Sequence, residues 1–228
     1  MTLNKWHYQL LALPELPAEI LEEFSTLPVD QYNEGKFRYR RFSQYKIRYS
    51  EGDGWQPELL PHRPFCQSTE FNGVTGGLLR EFEPLQIDPT LVIRAGADEV
   101  PLDHGVEWQV DVHQWRVISN DDTRGVSVPE GPHQDGHTYS LIAVVDRHNI
   151  GGGETQLMPM DSDEPFLGVK LQPGQAVVID DQKMRHYATD IVAPRGEEGH
   201  RDLFLLAYNT WPERRYGEEY EQSVLAGA

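Results

Sequence analysis

The chain is short of cysteine, of positive charge and of long hydrophobic runs. Its 228 residues include one cysteine, Cys66, which excludes an internal disulfide, a zinc finger and an iron–sulfur cluster. Acidic residues outnumber basic ones by 37 to 20, for a formal net charge of −17. Phosphate backbones and anionic lipids repel a protein this acidic, so the sequence predicts neither nucleic acid nor a membrane as a partner.

The shortage of hydrophobic runs also bears on location and class. No apolar run approaches the roughly eighteen residues that cross a bilayer, and the run at 10–13 is too short for a signal-peptide core. We therefore expect a cytoplasmic protein. Hydrophobic residues make up 38% of the chain and charged residues 25%, which is typical of a soluble enzyme. The length favours a single domain over 1–228, with its core at about 36–210.

The pattern that is present is mostly that of β-strands. Residues 17–27 carry apolar side chains at helical spacing and predict a helix, and 78–82 predict a second, short one. Aromatic, arginine and β-branched residues predict a strand at 36–49, and alternating side chains predict another at 108–118. Further strands are expected at 137–146, 154–159, 166–171, 175–180 and 202–209, separated by turns and loops that contain glycine and proline. Many short strands at this spacing predict a mainly β fold, the double-stranded β-helix (a cupin-like jelly roll) with flanking helices.

One tripeptide in this pattern predicts a metal centre. His133 and Asp135 are two residues apart, so on a strand their side chains would project from the same face. His186 follows a separate apolar strand and can supply a third ligand. Two imidazoles and one carboxylate can hold one face of an octahedral Fe(II) and leave three positions open, as in non-haem iron oxygenases.

A second His-X-Asp tripeptide, His200 to Asp202, is followed by no further histidine and is the weaker candidate. Arg201 lies inside it, at the start of a hydrophobic strand. A buried guanidinium needs an anion, and its forked geometry matches a carboxylate. Arg201 is therefore a candidate anion-binding residue, although it could instead pair with Asp202 or Asp190.

Four blocks around these residues resemble the Fe(II)/2-oxoglutarate-dependent dioxygenases, and most closely the bacterial family that includes L-isoleucine 4-hydroxylase. They are Pro-Glu-Gly-x-His-x-Asp-Gly at 129–136, Asn-x-x-Gly-Gly-Glu-Thr at 149–155, Asp-Asp-x-x-x-x-His at 180–186 and Arg-Asp at 201–202. The likeness covers about 105–210, with a weaker echo at 37–42. Pro132 and Gln134 depart from the family's pattern, which affects the surroundings of the metal more than its ligands.

The resemblance implies hydroxylation of an unactivated C–H bond of a free L-amino acid, with O₂ and Fe(II), while 2-oxoglutarate is decarboxylated to succinate. It implies His133, Asp135 and His186 as metal ligands and catalytic residues, and Arg201 as the residue that binds 2-oxoglutarate. The strand 108–118 has one polar face, which suits a cavity. Candidate substrate-binding residues are Arg116, Gln114, Tyr139 and Glu154.

Two other functions stay open on the residues alone. A zinc hydrolase can use two histidines, a carboxylate and a water, but it would need a general base and gives no role to Arg201. A non-catalytic cupin-like protein would bind a metal without turnover.

Overall fold

Alternation of apolar and polar side chains predicts strands, and strands dominate the fold. The computed structural model describes residues 3–33 and 35–227. The α-helices of that part of the chain are α1 (Ala18–Glu23), α2 (Thr90–Glu99) and α3 (Glu218–Ala226), with short 3-10 helices at Phe24–Thr26 and Trp211–Glu213. The strands are β1 (Tyr8–Ala12), β2 (Arg38–Ser50), β3 (Gly54–Leu59), β4 (Trp108–Ser119), β5 (Tyr139–His148), β6 (Gly151–Gly152), β7 (Thr155–Met158), β8 (Leu167–Val169), β9 (Gln175–Asp180), β10 (Arg185–Ala188), β11 (Ile191–Val192) and β12 (Gly199–Thr210).

Seven of these strands form one antiparallel sheet, in the order β1-β9-β5-β12-β4-β2-β3. A three-stranded sheet follows the order β10-β7-β8, and β11 pairs with β6. The small sheet packs on the large one, because Leu157 of β7 lies in one apolar cluster with Ile142 of β5 and Ile179 of β9. The mainly β, jelly-roll-like fold that the sequence predicts is confirmed.

The large sheet has two different faces. On one face Val112 of β4 and Phe204 of β12 pack against Phe24, just after α1, and Ile93 of α2. Full burial of each such side chain contributes about 1.5–3 kcal/mol to folding. The other face looks toward the small sheet and carries a cavity. Successive strand residues alternate between the two faces, so polar residues on the cavity side do not interrupt the apolar core behind them.

The helix predicted at 78–82 is wrong. Arg80 is extended there and exchanges two backbone hydrogen bonds with Phe65, of 2.9 and 2.8 Å. The helix in this loop-rich part of the chain is α2, whose buried residues include Val92, Ile93 and Ala97. Among the described residues, no helix is long and apolar enough to cross a membrane.

Candidate metal centre and its cavity

His133 and Asp135 come together through a bend and not through a regular strand. The predicted strand begins only at Tyr139, where β5 starts. Before it, His133 exchanges two backbone hydrogen bonds with His186 of β10, of 3.0 and 2.8 Å. Gly136 then turns the chain with a φ of +82°, and a Cβ at this position would overlap the Phe71 ring. Glycine is therefore required beside the second ligand.

Three candidate ligands converge at this bend. Nε2 of His133 lies 3.3 Å from Oδ1 of Asp135, and Nε2 of His186 lies 3.4 Å from Oδ2. Nδ1 of His133 donates to the Gly131 carbonyl at 3.0 Å, which leaves Nε2 facing Asp135 as the nitrogen that can bind a metal once it is deprotonated. All three ligand atoms lie within 4.8 Å of one another. A facial set of two imidazoles and one carboxylate fits Fe(II).

The charges of these ligands are strongly coupled. Burial would raise the pKa of Asp135, but His186 and His133 outweigh it and lower that pKa below its usual range. Burial lowers the pKa of His186 to about 4, helped by His133. Burial also opposes a charge on His133, yet the Asp135 carboxylate raises the His133 pKa to about 9. The His133–Asp135 pair therefore holds a proton that a metal ion must displace.

Asp181 stabilises the bend at 135–137 through backbone hydrogen bonds. Its buried carboxylate accepts the backbone N–H groups of Asp135, Gly136 and His137 at 3.1, 2.6 and 2.9 Å. Its Oδ1 also lies 3.7 Å from Nδ1 of His186. Burial, together with the nearby Asp135, raises the pKa of Asp181 to about 7. The Asp181 side chain thus orients the segment that carries Asp135 and also faces the imidazole ring of His186.

A second brace comes from the C-terminal part of the chain. Arg215 donates to the backbone carbonyl of Asp135 at 3.2 Å and also to that of Gly136. Its backbone N–H donates to the side chain of Gln109 on β4. The segment that carries Asp135 is therefore held on two sides.

Arg201 lies in the same cavity as the three ligands. Its guanidinium is buried and donates to Oγ1 of Thr155 at 3.3 Å, and its Nε has no hydrogen-bond partner among the described residues. Burial and the neighbouring Arg147 lower the Arg201 pKa to about 10. The two acids that could have paired with it have other partners, since Asp202 binds Arg116 and Asp190 binds Arg124. Arg201 is thus available to an anion in the cavity.

The four predicted substrate residues lie elsewhere. The cavity is lined by His113, Trp115 and Val117 of β4, whereas alternation directs Gln114 and Arg116 to the opposite face. Arg116 there binds Asp202 through two hydrogen bonds of 2.7 and 2.6 Å. Neither side chain lines the cavity, and their contact with substrate stays a prediction.

Tyr139 and Glu154 are also outside the cavity lining. Tyr139 packs against the helix-covered core, with its ring 6.2 Å from that of Trp108. The Glu154 carboxylate accepts a hydrogen bond of 2.9 Å from Gln156 on β7. The neighbouring residue, Thr155, is the one that reaches the cavity.

Several cavity residues have no counterpart in the predicted site. All have polar or charged side chains, and all but the partly exposed Glu130 are buried: Arg38, Arg40, Arg80, Gln67, His113, Glu130 and His137. The sequence signal for Arg38 and Arg40 was the alternation of arginines along β2, within the echo at 37–42.

Comparisons with known proteins agree with this geometry. A family model described as 2OG-Fe dioxygenase matches residues 21–207. The chain is similar to the solved structure of a bsmA homologue from Methylobium petroleophilum PM1, with 25% sequence identity and a TM-score of 0.73, over 85% of this chain and 81% of that one. No curated protein sequence matches significantly.

Two more distant structures share the fold. IDO from Bacillus thuringiensis has 17% identity and a TM-score of 0.69, over 90% of this chain and 91% of that one. The Fe(II)/α-ketoglutarate-dependent dioxygenase TqaL has 13% identity and a TM-score of 0.60, over 89% and 82%. At these identities the likeness concerns the fold alone.

Proposed function

Because the chain belongs to the 2OG-Fe dioxygenase family, we propose that it hydroxylates an unactivated C–H bond of a free L-amino acid. Membership makes the protein an oxidoreductase that uses Fe(II), 2-oxoglutarate and O₂. It also rules against the zinc-hydrolase and non-catalytic alternatives. The observation that carries the proposal is that His133, Asp135, His186 and Arg201 line one cavity.

Each of these residues has a distinct role in the proposal. His133 and His186 would hold the metal through Nε2, and Asp135 through one carboxylate oxygen. When bound, Fe(II), 2-oxoglutarate and O₂ supply the oxidising chemistry. Arg201 would donate a forked pair of hydrogen bonds to the carboxylate of 2-oxoglutarate that is remote from the metal, beside the hydroxyl of Thr155.

The rest of the cavity wall keeps water away and positions the substrate. Leu203, Leu205 and Ala188 contribute apolar surface beside Arg201 and the ligands. A zwitterion also needs a cation and an acceptor, since burying either of its charges unpaired is costly. The cavity offers both kinds of group, which supports a free L-amino acid as substrate.

We also propose that 1–228 forms a single dioxygenase domain with its core at about 36–210. The family match spans 21–207, and one sheet joins β1 to β12. Arg63, before β4, binds Glu221 of α3 through hydrogen bonds of 2.6 and 2.9 Å. The beginning of the described chain thus belongs to the sheet, and α3 is held to the loop that follows β3.

The proposal is tested in two steps. An anaerobic titration with Fe(II) and 2-oxoglutarate should produce a weak visible charge-transfer band. Screening the twenty L-amino acids in air should then identify at least one that stimulates succinate release and gains an oxygen atom by mass spectrometry. A band without stimulation by any free amino acid, but with stimulation by a peptide-embedded residue, would reject the substrate and keep the iron site.

A further inference from the structure

Three arginines line the cavity on the side of β2. Arg38, Arg40 and Arg80 are only 4%, 1% and 3% exposed, and all three belong to the lining that includes the metal ligands. Arg38 and Arg40 are alternate residues of β2, so their side chains leave the same face of the sheet. Arg80 reaches them from the extended segment that pairs with Phe65. We name these three residues the arginine cluster.

Arg40 is the best partnered member of the arginine cluster. Its guanidinium lies 3.5 Å from the buried Asp30 carboxylate and donates to Nδ1 of His113 at 2.8 Å. Burial, with Arg40 next in effect, lowers the His113 pKa well below its usual range. Nδ1 of a neutral His113 can therefore accept this bond, and the bond adds no negative charge.

The other two arginines have weaker partners. Arg38 donates to the Ser127 carbonyl at 3.0 Å and stacks on the Trp115 ring at 4.4 Å. Arg80 makes one long contact of 3.5 Å with Oε1 of Gln67. The Nε atoms of Arg38, Arg40 and Arg80 have no hydrogen-bond partner in the described part of the chain. Donors are therefore in excess at this end of the cavity.

The arginine cluster is also short of counter-ions. Two carboxylates of the described chain, Asp30 and Glu130, attract the arginine cluster electrostatically and act to raise the pKa of its members. Asp30 pairs with Arg40 at 3.5 Å, whereas Glu130 makes no ion pair with the arginine cluster in the described part of the chain. Arg38 and Arg80 therefore have no paired carboxylate among the described residues. Burial lowers the Arg80 pKa to about 10, although Asp30 and Glu130 act in the opposite direction, and a buried cation without a paired anion is costly. A carboxylate bound in the cavity would give the arginine cluster a second counter-ion and accept its unused N–H groups.

The arginine cluster is separate from Arg201. In the sheet, Arg38 is opposite Val117 of β4, and Val117 is opposite Arg201 of β12. Two strand spacings place the two guanidinium-bearing positions roughly 10 Å apart. The basic neighbour that acts on Arg201 is Arg147, and no member of the arginine cluster does. The cavity thus has two cationic ends, one for each of two anions.

The arginine cluster also adjoins the metal ligands. Gln67, which Arg80 contacts, donates to the backbone carbonyl of Asp135 at 3.0 Å. Glu130 acts on Arg38 and on His133, and it accepts a hydrogen bond of 2.9 Å from Asn72. A small molecule held between Arg80 and Glu130 would therefore lie next to the metal centre.

We propose that the arginine cluster binds the α-carboxylate of the primary substrate and that Glu130 accepts hydrogen bonds from its ammonium group. This assignment rests on the proposed function and replaces Arg116 as the substrate's cation. It limits substrates to molecules that carry a free carboxylate and a free amine on the same small skeleton. The side chain of the amino acid then extends toward the metal ligands.

The first test measures binding apart from turnover. The protein loaded with Mn(II) and 2-oxoglutarate is titrated calorimetrically with each of the twenty L-amino acids, and then with the carboxamide and the des-amino acid of each binder. Loss of the charged partner should weaken carboxamide binding about thirtyfold or more. Equal affinity of acid and carboxamide, or no binding by any amino acid, overturns the assignment.

The second test uses variants. Arg80→Gln should weaken amino-acid binding about thirtyfold or more, and Arg80→Lys should weaken it less, because the charge stays while the fork is lost. Glu130→Gln should weaken binding of the amino acid and leave that of its des-amino acid unchanged. The exposed Arg195→Gln is the control for general effects of removing an arginine.

Failure of this assignment is distinguishable from failure of the proposed function. If the charge-transfer band of Fe(II) and 2-oxoglutarate forms normally in Arg80→Gln, the cosubstrate end is intact and any loss belongs to the substrate. If the wild-type protein gives no band, the proposed function fails whatever the amino acids do. Unchanged amino-acid affinity in both Arg80→Lys and Glu130→Gln rejects the arginine cluster even if Arg80→Gln does not fold.

Discussion

His133 to Asp135 and His200 to Asp202 are the same tripeptide pattern in two settings. The first lies in a bend before β5 and faces the cavity, whereas the second lies on the regular strand β12. Both bring potential ligand atoms within 4.8 Å, the second with Asp146. In the second, however, Arg116 already binds the Asp202 carboxylate at 2.7 and 2.6 Å.

The difference shows that proximity of ligand atoms does not define a metal site. A carboxylate that already has a guanidinium partner is neutralised and hydrogen-bonded, so a metal ion would have to displace a charged group. Within the described ranges, the ion-pair partners of the Asp135 carboxylate are the imidazoles of His133 and His186, and these are themselves candidate ligands. The two tripeptides have the same spacing, and what distinguishes them as metal-site candidates is that Arg116 already occupies the Asp202 carboxylate.

The largest expected effect is at the first tripeptide. His133→Ala, Asp135→Ala and His186→Ala each remove one of three ligands from an open site, so substrate-stimulated succinate release should fall to that of a protein-free control. Circular dichroism and thermal melting check that the fold persists. Full activity in any one variant would remove that residue from the metal centre.

Arg201→Ala should come next. Loss of a desolvated charged contact to a carboxylate costs about 2–5 kcal/mol, which corresponds to a rise of about 30-fold to several-thousand-fold in the Kd for 2-oxoglutarate. Arg201→Lys should recover part of the loss, because it keeps the charge without the fork. The charge-transfer band measures both. Wild-type affinity in Arg201→Ala would mean that another cation binds the cosubstrate.

Asp181→Asn should weaken the first site without removing a ligand. The amide has one acceptor oxygen where the carboxylate has two for three backbone N–H groups, and loss of such support typically lowers metal affinity about 10- to 100-fold. Equilibrium Fe(II) titration measures the change. Asp180→Asn, the adjacent acid, is the matched control, and an equal loss in both variants would count against a specific role for Asp181.

Arg116→Ala should affect stability and leave metal binding unchanged. It leaves the Asp202 carboxylate, whose side chain is 3% exposed, without its partner, at a cost of about 1–3 kcal/mol in the free energy of unfolding. Chemical denaturation measures this loss. The double variant Arg116→Met, Asp202→Asn should recover most of it, and weaker substrate binding in Arg116→Ala would restore the role that the sequence predicted.

His200→Ala should have the smallest effect. Its imidazole pairs with the half-exposed Asp146 at 3.0 Å, a surface contact that contributes at most about 1 kcal/mol. Turnover and Fe(II) affinity should stay within about twofold of wild type, the usual range for a surface substitution. Weaker Fe(II) binding in this variant would mean that the second tripeptide also contributes to the metal site.

Strands with clear alternation or with a short apolar run were predictable, and the helix in the loop-rich region was not. Patterns at 108–118, 175–180 and 202–209 correspond to β4, β9 and β12. The apolar residues of α2 were obscured by the prolines that precede them. The helix predicted at 78–82 failed because long-range pairing with Phe65 outweighs the weak local preference of five residues.

The candidate metal ligands and Arg201 line one cavity, whereas the four candidate substrate residues do not. The ligands and Arg201 were predicted from their spacing and order along the chain. That prediction does not depend on whether residues 133–138 form a strand or a bend. A substrate pocket depends on which face of β4 meets the cavity. Gln114 and Arg116 share their face of β4 with the core residues Val110 and Val112. These apolar neighbours, more than the polarity of the two side chains, indicate that this face is turned away from the cavity.

Arg215 has a consequence for how the protein is made. It braces the carbonyl of Gly136 but follows that residue by 79 positions in the chain. A ribosome adds about 5–20 residues per second, so the segment that carries Asp135 waits about 4 to 16 seconds for this brace to be synthesised. His186 and Arg201 also arrive within that interval. We therefore expect Fe(II) to bind tightly only after residue 215 has been synthesised.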